Sequence, residues 1–284
     1  MKTLAIKLSD MQAVGRWDID YHLPAEGIRQ FPATLLQRVD GVADFPRDKR
    51  DPGRDPDKVF QYIDIAAVDV TVGVVVNAQD VEGSEAPSRA RKVVQAFDVL
   101  VSTCRPTRGA ICVVPVRFHD QIASTAFSVL RPMRGVNPYY LHYALRLPST
   151  LEQFRKWSTG SSYPAILDSD VAKTLIPVPD TTTQEAIAAR VVAALHERDD
   201  AVATANQTWN GVLGEITRTL TGQEPSTAPE VATQAPEDPF TLPEIEVLLG
   251  DLPALTVDLR QNGSSDELSL WQEAEAEGTA SESA

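Results

Sequence analysis

Residues 182–222 read TTQEAIAARVVAALHERDDAVATANQTWNGVLGEITRTLTG, and this stretch decides much of the fold. Thr182 and Glu185 have the S/T-x-x-E spacing of a capping box, which predicts the start of a helix. Apolar residues then recur at alternating four- and three-residue steps, the spacing of a heptad seam. A helix from Thr183 to Thr221 would run for about 58 Å at about 1.5 Å per residue. Gly222 is predicted to end it.

The seam of this predicted helix favours pairing with another chain. A helix of this length cannot fold back along its whole length on the 180 residues before it, and the sequence offers no second helix of matching length. The alternative is a helix that packs only on its own domain. Arg198 also falls in the seam and would need an acidic partner if buried. The predicted oligomerisation residues are the apolar seam positions Val191, Leu195, Val202, Trp209, Val212 and Ile216.

The charge of the chain is concentrated at one end. The 284 residues have a formal net charge of −14. Residues 223–284 hold 14 acidic residues and one basic residue, Arg260, which gives −13. Residues 1–222 hold 26 acidic and 25 basic residues and are nearly neutral. The acidic total therefore does not argue against DNA binding by the body of the protein.

Several classes of site and location are disfavoured by composition. Cys104 and Cys112 are the only two cysteines, they form no C-x-x-C pair, and the four histidines do not cluster near them. This pattern argues against a structural zinc site, and we predict no metal site. The N-terminus does not resemble a signal peptide, and no stretch approaches the roughly 20 apolar residues of a membrane span. We expect a soluble cytoplasmic protein that does not engage membranes.

The chain divides into three predicted parts and an α+β fold. Residues 1–180 are mixed and strand-rich, residues 181–222 form the long helix, and residues 223–284 form an acidic low-complexity tail. The proline-rich segment at 45–58 is predicted to be a surface loop. The predicted strands are 60–73, 99–104, 110–116 and 122–130, which are rich in β-branched and aromatic residues and suggest an antiparallel or mixed sheet.

Two further helices are predicted at 137–148 and 149–157. Asn137 can cap the first of them, and Pro138 suits its first position. Asn137-Pro138-Tyr139-Tyr140 is also similar to the Asn-Pro-Pro-Tyr loop of amino-methyltransferases, but the second proline is absent and no glycine-rich cofactor loop precedes it. We therefore interpret Asn137 as a helix cap.

The predicted tail cannot build a core, because it is rich in Pro, Ala, Glu, Ser and Thr and has a single basic residue. Two stretches within it are more apolar: FTLPEIEVLLGDLPALTVDL (240–259) and LSLWQEAEAEG (268–278). The tail is either a disordered segment or one that carries a short motif for docking a protein partner. It could also compete with DNA for the body's own site.

Four stretches in order resemble one known family over residues 1–222. They are RWDIDYH (16–22), PSRARKVVQAFDVLVSTCRPTRGA (87–110), IASTAF (122–127) and GSSYPAILDSDVAKTLIPVPDTTTQEAIA (160–188). These stretches resemble the DNA-specificity subunits of type I restriction–modification systems, which carry target-recognition domains joined by long helices. Ala126 stands where the family's Ala-Ser-Thr-Gly-Phe signature has glycine. The family usually carries two recognition domains and two long helices, whereas this chain has one of each.

The resemblance implies a subunit that reads DNA and makes no bonds itself. Methyl transfer would belong to partner methyltransferase subunits that bind S-adenosylmethionine, and cleavage to a motor-nuclease subunit in restriction-competent systems. No catalytic residues are assigned, and Asp168 and Asp170 are interpreted as turn and helix-cap groups. Two copies paired through the helix would restore the two-domain layout and recognise two half-sites in opposite orientation. The alternative is a protein-interaction adaptor of a defence complex, whose acidic tail mimics DNA or docks a partner.

The candidate DNA contacts are basic and small polar residues. Arginine can contact phosphates or the edges of guanine. Because the 87–110 motif is family-wide, its arginines are expected to position the domain on any duplex rather than choose a sequence. A second group lies in the 45–58 loop, and a third follows Gly160. The full set is Arg47, Lys49, Arg50, Arg54, Arg89, Arg91, Lys92, Ser102, Thr103, Arg105, Arg108, Ser124, Thr125, Ser161, Ser162 and Tyr163.

Overall fold

The structure is a computed structural model and describes residues 5–17, 19–23, 25–160 and 162–222. The predicted acidic tail at 223–284 lies outside the described residues, as does Ser161. Where the chain is described, no helix combines the length and the apolarity that a membrane span needs. A strand-rich region comes first and a long helix follows it, as the sequence predicts.

The helices are α1 (Leu8–Val14), α2 (Ile19–His22), α3 (Pro138–Arg146), α4 (Pro148–Trp157), α5 (Asp168–Ala172) and α6 (Thr181–Leu220). The strands are β1 (Leu36–Arg38), β2 (Ala43–Asp44), β3 (Val59–Ile63), β4 (Val68–Asp69), β5 (Val74–Val75), β6 (Gln79–Glu82), β7 (Ala90–Val94), β8 (Val99–Ser102), β9 (Ile111–Val113), β10 (Gln121–Ser124), β11 (Phe127–Pro132) and β12 (Leu175–Pro177).

Two four-stranded sheets carry the strand-rich region. One has the order β6-β3-β10-β7 and is mixed, because β10 and β3 run parallel. The other has the order β2-β11-β8-β9 and is antiparallel throughout. Both of the predicted pairing types therefore occur. The apolar faces of the sheets pack around Phe127, Leu100 and Ile63, which are fully buried.

Two of the predicted strands are interrupted. Residues 60–73 form β3 and β4 rather than one strand, because the Asp64 carboxylate accepts a hydrogen bond from the Ala67 backbone N–H (2.9 Å) and closes a 3-10 turn. Residues 122–130 also divide, at Thr125 and Ala126, so that β10 lies in one sheet and β11 in the other. The prediction of one continuous strand was therefore wrong for both 60–73 and 122–130.

Helices α3 and α6 meet at a buried polar junction. The Asn137 side chain accepts hydrogen bonds from the backbone N–H groups of Tyr139 (3.0 Å) and Tyr140 (3.2 Å), which confirms the predicted cap. The backbone N–H of Asn137 donates to the Gln184 side chain (3.1 Å), and Gln184 donates to the carbonyl of Pro179 (2.9 Å). The start of α6 is therefore fixed against the start of α3.

The predicted capping box of α6 was wrong. The helix begins at Thr181, and the Asp180 carboxylate accepts from the Thr183 backbone N–H (3.0 Å), so Asp180 is the cap in place of Thr182. The sequence DTTT offers several oxygen-bearing side chains, and the first of them takes the role. The helix spans 40 residues, about 60 Å at 1.5 Å per residue, close to the predicted length.

The first half of α6 packs on its own domain. Its buried residues are Gln184, Ala188, Val192 and Leu195. Ala188 and Val192 share one core cluster with residues of α3 and α4, including Leu141 and Phe154. The division of the chain at residue 180 remains a prediction, since the core continues across it.

A buried carboxylate ties the second sheet together. Asp98 is 1% exposed, and its two oxygens accept from the Arg131 guanidinium at 2.9 Å each. One of them also accepts from the Gln95 backbone N–H (2.8 Å). Burial raises the pKa of Asp98, and the contacts with Arg131 oppose that shift. Arg131 lies on β11 and Asp98 directly precedes β8, so the pair braces two neighbouring strands.

His142 of α3 is buried and neutral. One ring nitrogen, Nε2, lies 3.1 Å from the carbonyl of Ile111 and must carry the proton to donate to it. The other, Nδ1, has no hydrogen-bond partner among the described atoms. Burial, reinforced by the nearby Arg146, lowers the pKa of His142 to about 3.

We expect the buried His142 to make the fold sensitive to acid. Its pKa is about 6.5 when unfolded and about 3 when folded, so the unfolded chain binds more protons between those values. Stability is therefore full above pH 6.5 and falls as the pH is lowered, by about 2 kcal/mol from this group by pH 5. Urea unfolding at pH 7 and pH 5 should show this loss, and His142→Gln should reduce it. An equal loss in the variant would contradict the assignment.

Candidate nucleic-acid interface

A cleft of about 540 Å³ collects five of the predicted DNA-binding residues. It lies where β3, β8 and β10 end and where β7 and β9 begin. Its volume falls in the range of roughly 300–1,000 Å³ typical of clefts that accept one small molecule. A single nucleotide unit is of that size, whereas a whole duplex is not. The predicted residues in its lining are Arg89, Arg105, Arg108, Ser124 and Tyr163.

Arg105 is held at the mouth of this cleft in a defined position. Its guanidinium stacks over the ring of Tyr163, 4.6 Å from the ring centroid, and donates to the carbonyl of Ser162 (3.5 Å). Its backbone N–H donates to the carbonyl of Pro164 (2.7 Å). Arg105 adopts the left-handed conformation (φ 48°), which is uncommon for a residue with a side chain. Such conformations persist where the surroundings impose them, and they cluster at functional sites.

Arg89 and Arg108 complete a positive lining. Both are exposed, and neither makes a side-chain hydrogen bond or ion pair with another part of the described chain. The one carboxylate in the lining is Asp64, which already accepts from the backbone N–H of Ala67. Three guanidinium groups against one engaged carboxylate leave the cleft electropositive. Guanidinium groups that are free of protein partners can bind phosphate oxygens.

The other basic residues of the 87–110 motif are engaged within the protein. Lys92 donates to the carbonyl of Phe127 (2.6 Å) and lies 3.5 Å from the Asp168 carboxylate. Arg91 lies 3.4 Å from the Asp51 carboxylate. These contacts brace β7 against its surroundings. The motif thus divides between residues that face the cleft and residues that face the fold.

The small polar residues divide in the same way. The Ser102 hydroxyl is buried and donates to the carbonyl of Cys104 (2.7 Å), and the Thr103 hydroxyl donates to the carbonyl of Ala126 (2.8 Å). Ser124 is buried, lines the cleft, and accepts from the backbone N–H of Ala126 (3.2 Å). Thr125 is exposed beside it. Ser102 and Thr103 therefore do not line the cleft, but they hold the carbonyls of two residues that do, Cys104 and Ala126.

The early loop is less basic than its sequence suggests. Arg50 forms an ion pair with Asp120 (2.5 Å) and donates to its backbone carbonyl (3.0 Å). Arg47, Lys49 and Arg54 are exposed, and Arg54 lies among Asp55, Asp57 and Lys58. The loop contains a short 3-10 turn and an antiparallel bridge from Lys49 to Lys92 of β7, is otherwise irregular, and lies outside the cleft lining.

Sequence reasoning missed one residue that shapes the site. Arg146, the last residue of α3, donates from Nη1 to the carbonyl of Gly109 and from Nη2 to the carbonyls of Val70 (3.0 Å) and Thr71 (2.8 Å). It therefore joins the turn that carries Arg105 and Arg108 to the β4–β5 hairpin. No motif marks this role, because its partners are backbone carbonyls far away in sequence. Among the described residues, no group of three His, Cys, Asp or Glu side chains is placed to hold a metal ion.

Known proteins resemble this chain over part of its length. No protein-family model matches the chain. Over 104 residues, 36% of this chain and 23% of the relative, the chain is 30% identical to the type I restriction enzyme HindI specificity subunit of Haemophilus influenzae. It is 32% identical, with a TM-score of 0.51, to the HsdS subunit of Thermoanaerobacter tengcongensis, over 69% of this chain and 51% of that one. A chain from a type I restriction–modification system solved for its assembly and conformational transition is 35% identical, with a TM-score of 0.52, over 68% and 51%.

The chain is homologous to type I specificity subunits. The resemblance drawn from the four sequence stretches is thereby confirmed. The chain spans about half the length of the two solved relatives that it matches.

In this specificity-subunit homologue, the predicted oligomerisation residues fall into two groups. Val191 is half-buried and Leu195 is buried against the rest of the domain. The other four belong to an exposed apolar stripe along the second half of α6. Arg198, between the two groups, forms an ion pair with Asp69 of the domain (3.0 Å), so its acidic partner lies within the chain. The stripe consists of Val202, Trp209, Val212, Leu213, Ile216 and Leu220.

We expect Arg89→Ala and Arg105→Ala to weaken binding of this homologue to all duplexes alike. Each substitution removes one cation from the cleft, so the slope of log K against log salt should fall by about 0.9. Fluorescence anisotropy with several unrelated duplexes over a salt series measures both quantities. Arg134→Ala is the matched control, since Arg134 is an exposed arginine outside the cleft lining. A change in which sequence binds best would instead make these residues base readers.

Proposed function

We propose that the chain is the DNA-recognition subunit of a type I-like restriction–modification system or a related methylation complex. The observation that carries this proposal is the 32–35% identity to two solved chains, one of them an HsdS subunit, over about two thirds of this chain. The chain itself would make and break no covalent bonds. It would direct partner subunits to a bipartite DNA site from within the cytoplasm.

The cleft supplies the contacts that place the domain on DNA. Arg89, Arg105 and Arg108 would bind the sugar–phosphate backbone of one strand, because the cleft accepts a nucleotide-sized group and three guanidinium groups face it. Backbone contacts set the register of a protein on a duplex but carry no sequence information. Base reading then falls to exposed residues outside the cleft lining. The candidates are Arg47, Lys49, Arg54, Thr125 and Ser162. Ser161, which the sequence also proposes as a DNA contact, lies outside the described residues.

The partners follow from the same proposal. A methyltransferase subunit would bind S-adenosylmethionine and transfer the methyl group, and a motor-nuclease subunit would join in systems that cleave. No residue of this chain is assigned to S-adenosylmethionine.

The proposal also divides the chain into a recognition domain that ends at residue 180, a long helix that ends at residue 222 and a tail.

The exposed stripe of α6 would pair two copies of the chain. Exposed apolar patches of this kind mark interaction surfaces, and this one repeats at heptad spacing. A two-fold pair of chains would present two recognition domains, which the solved relatives of twice the length would carry in one chain. A helix of the methyltransferase is the other candidate partner for the stripe.

The proposal predicts salt-dependent binding of duplex DNA. The full chain, alone or with its methyltransferase partner, should retard a mixed-sequence duplex at low salt in a gel-shift assay and lose it as salt is raised. Failure to bind any duplex at low salt, with and without the partner, would overturn the proposal.

The charge of −13 on residues 223–284 favours the adaptor as the second candidate function. Removing that segment separates the two candidates in the same gel-shift assay. A DNA-recognition subunit should bind duplexes equally well or better, because an acidic neighbour has been removed. An adaptor, whose domain would have lost DNA binding, should bind no duplex with or without the segment and should lose its protein partner in a pull-down when the segment is removed.

We expect Val212→Asp together with Ile216→Asp to abolish self-association. Both residues lie in the exposed stripe, and burying a carboxylate in a helix interface costs enough to weaken pairing at least about tenfold. Sedimentation equilibrium of the full chain measures the change. Thr204→Asp together with Gln207→Asp adds the same charge on the opposite face of α6 and should leave pairing intact. A parent chain that is monomeric at all concentrations would assign the stripe to the methyltransferase instead.

A further inference from the structure

The β4–β5 hairpin is a shared wall between the arginine cleft and the long helix. Val68 and Val70 line the cleft. Asp69, between them, faces the other way, as alternate residues of a strand do, and contacts α6. A single short segment therefore touches both the candidate DNA site and the helix proposed to join two copies.

The contact with α6 is an ion pair. Arg198 donates from Nη2 to the Asp69 carboxylate at 3.0 Å, with side-chain exposures of 41% and 22%. The other carboxylate oxygen accepts from the backbone N–H of Thr71 (2.8 Å), which orients Asp69. Burial acts to raise the pKa of Asp69, but the hydrogen bonds from Thr71 and the attraction of Arg198 outweigh it and lower the pKa. The carboxylate is therefore charged near neutral pH.

The hairpin that carries Asp69 is rigidly held. Gly73 adopts φ +79°, and a Cβ atom there would lie 2.3 Å from both His142 Nε2 and the Ile111 carbonyl oxygen, so only glycine fits. The backbone N–H of Gly73 donates to the carbonyl of Asp69 (2.7 Å). Arg146 fixes the two residues that follow Asp69 through their carbonyls. Asp69 is thus a fixed point of the domain.

Arg198 lies where α6 leaves that domain. Leu195 is the last buried residue of the helix, and the apolar residues of the stripe beyond Arg198 are exposed. Counted from the buried Gln184, Arg198 lies about 21 Å along the axis and Leu220 about 54 Å. For a helix that rotates as a rigid rod about Gln184, a displacement of about 1.3 Å at Arg198 becomes about 3.4 Å at Leu220. That larger displacement equals the rise of one base pair along a DNA duplex.

We propose, building on the function proposed above, that the Asp69–Arg198 ion pair fixes the direction in which α6 leaves the domain and so sets the separation of the two DNA half-sites that a pair of chains accepts. Both are positioning residues. Neither lines the cleft, since Asp69 is on the far side of the hairpin and Arg198 is on the helix.

The direction of the helix can be measured without DNA. Spin labels on Glu82→Cys of the domain and Gln207→Cys of α6 report the distance between these two positions. The full chain also carries Cys104→Ser, so that no label attaches at position 104. Cys112 is left unchanged because it is buried. Dilution with unlabelled chain removes distances between copies. Asp69→Asn and Arg198→Gln should each broaden or shift the distance distribution, and the double variant should match the single variants. Arg190→Gln removes the same charge from an exposed position of the same helix and should leave the distribution unchanged.

Distributions that stay the same in both single variants would overturn the positioning role. Effects that add in the double variant would also overturn it, because two residues that act through one contact cannot lose it twice. Thermal melting of each variant confirms that the fold is retained.

The second arm tests the separation of half-sites. The chain first selects its preferred sequence from a random duplex library, and duplexes with two inverted copies are then made with spacings that differ by one base pair. The parent should favour one spacing, and Asp69→Asn and Arg198→Gln should reduce that preference by about two- to fivefold, the range that a partly exposed ion pair can contribute. Affinity for a single half-site should not change.

The outcomes distinguish the two proposals. If the parent selects no sequence, the proposed function fails, while the spin-label measurement still decides the role of the ion pair. If the parent selects a sequence and both variants keep its spacing preference in full, the inference fails and the proposed function stands.

Discussion

The geometry of the candidate site depends on one guanidinium group, that of Arg146. It donates to the Gly109 carbonyl of one turn and to the Val70 and Thr71 carbonyls of another, and those turns are two walls of the arginine cleft. Burial lowers its pKa, while the nearby Asp69 acts in the opposite direction. Carbonyl dipoles satisfy the donors of Arg146 without cancelling its charge, so Arg146 adds to the positive potential behind the cleft. The same contact holds the hairpin that reaches α6.

Features set by local sequence could be predicted. The cap at Asn137 and the end of α6 depend on neighbouring residues, and both appear within one residue of their predicted positions, although α6 begins two residues earlier than predicted. The cleft arginines were found for a related reason, because Arg89, Arg105 and Arg108 lie within one continuous motif. The break at Asp64 also had a local signal, an aspartate three residues before the N–H that it binds, but the run of β-branched residues around it outweighed that signal.

Features that depend on distant partners could not be predicted. Lys92 and Arg50 looked like free cations in sequence, yet their partners Phe127 and Asp120 lie 35 and 70 positions away. Arg198 and Asp69 are separated by 129 positions. A pattern of charge along the chain does not say which cation finds a carboxylate, because that is decided when the sheets and helices pack. The division of the motif into cleft residues and bracing residues was therefore beyond sequence reasoning.

The heptad seam of α6 forms one continuous face, and the domain covers only its first part. Seam spacing alone cannot predict where that cover ends, because an apolar residue at a seam position packs equally well on its own domain or on another helix. The domain covers the face as far as Leu195, and the stripe from Val202 onward continues it into solvent. Arg198 marks the boundary between them. A charged residue there interrupts the apolar face at the point where the domain stops covering it, and its ion pair with Asp69 ties that point of the helix to the hairpin that lines the cleft.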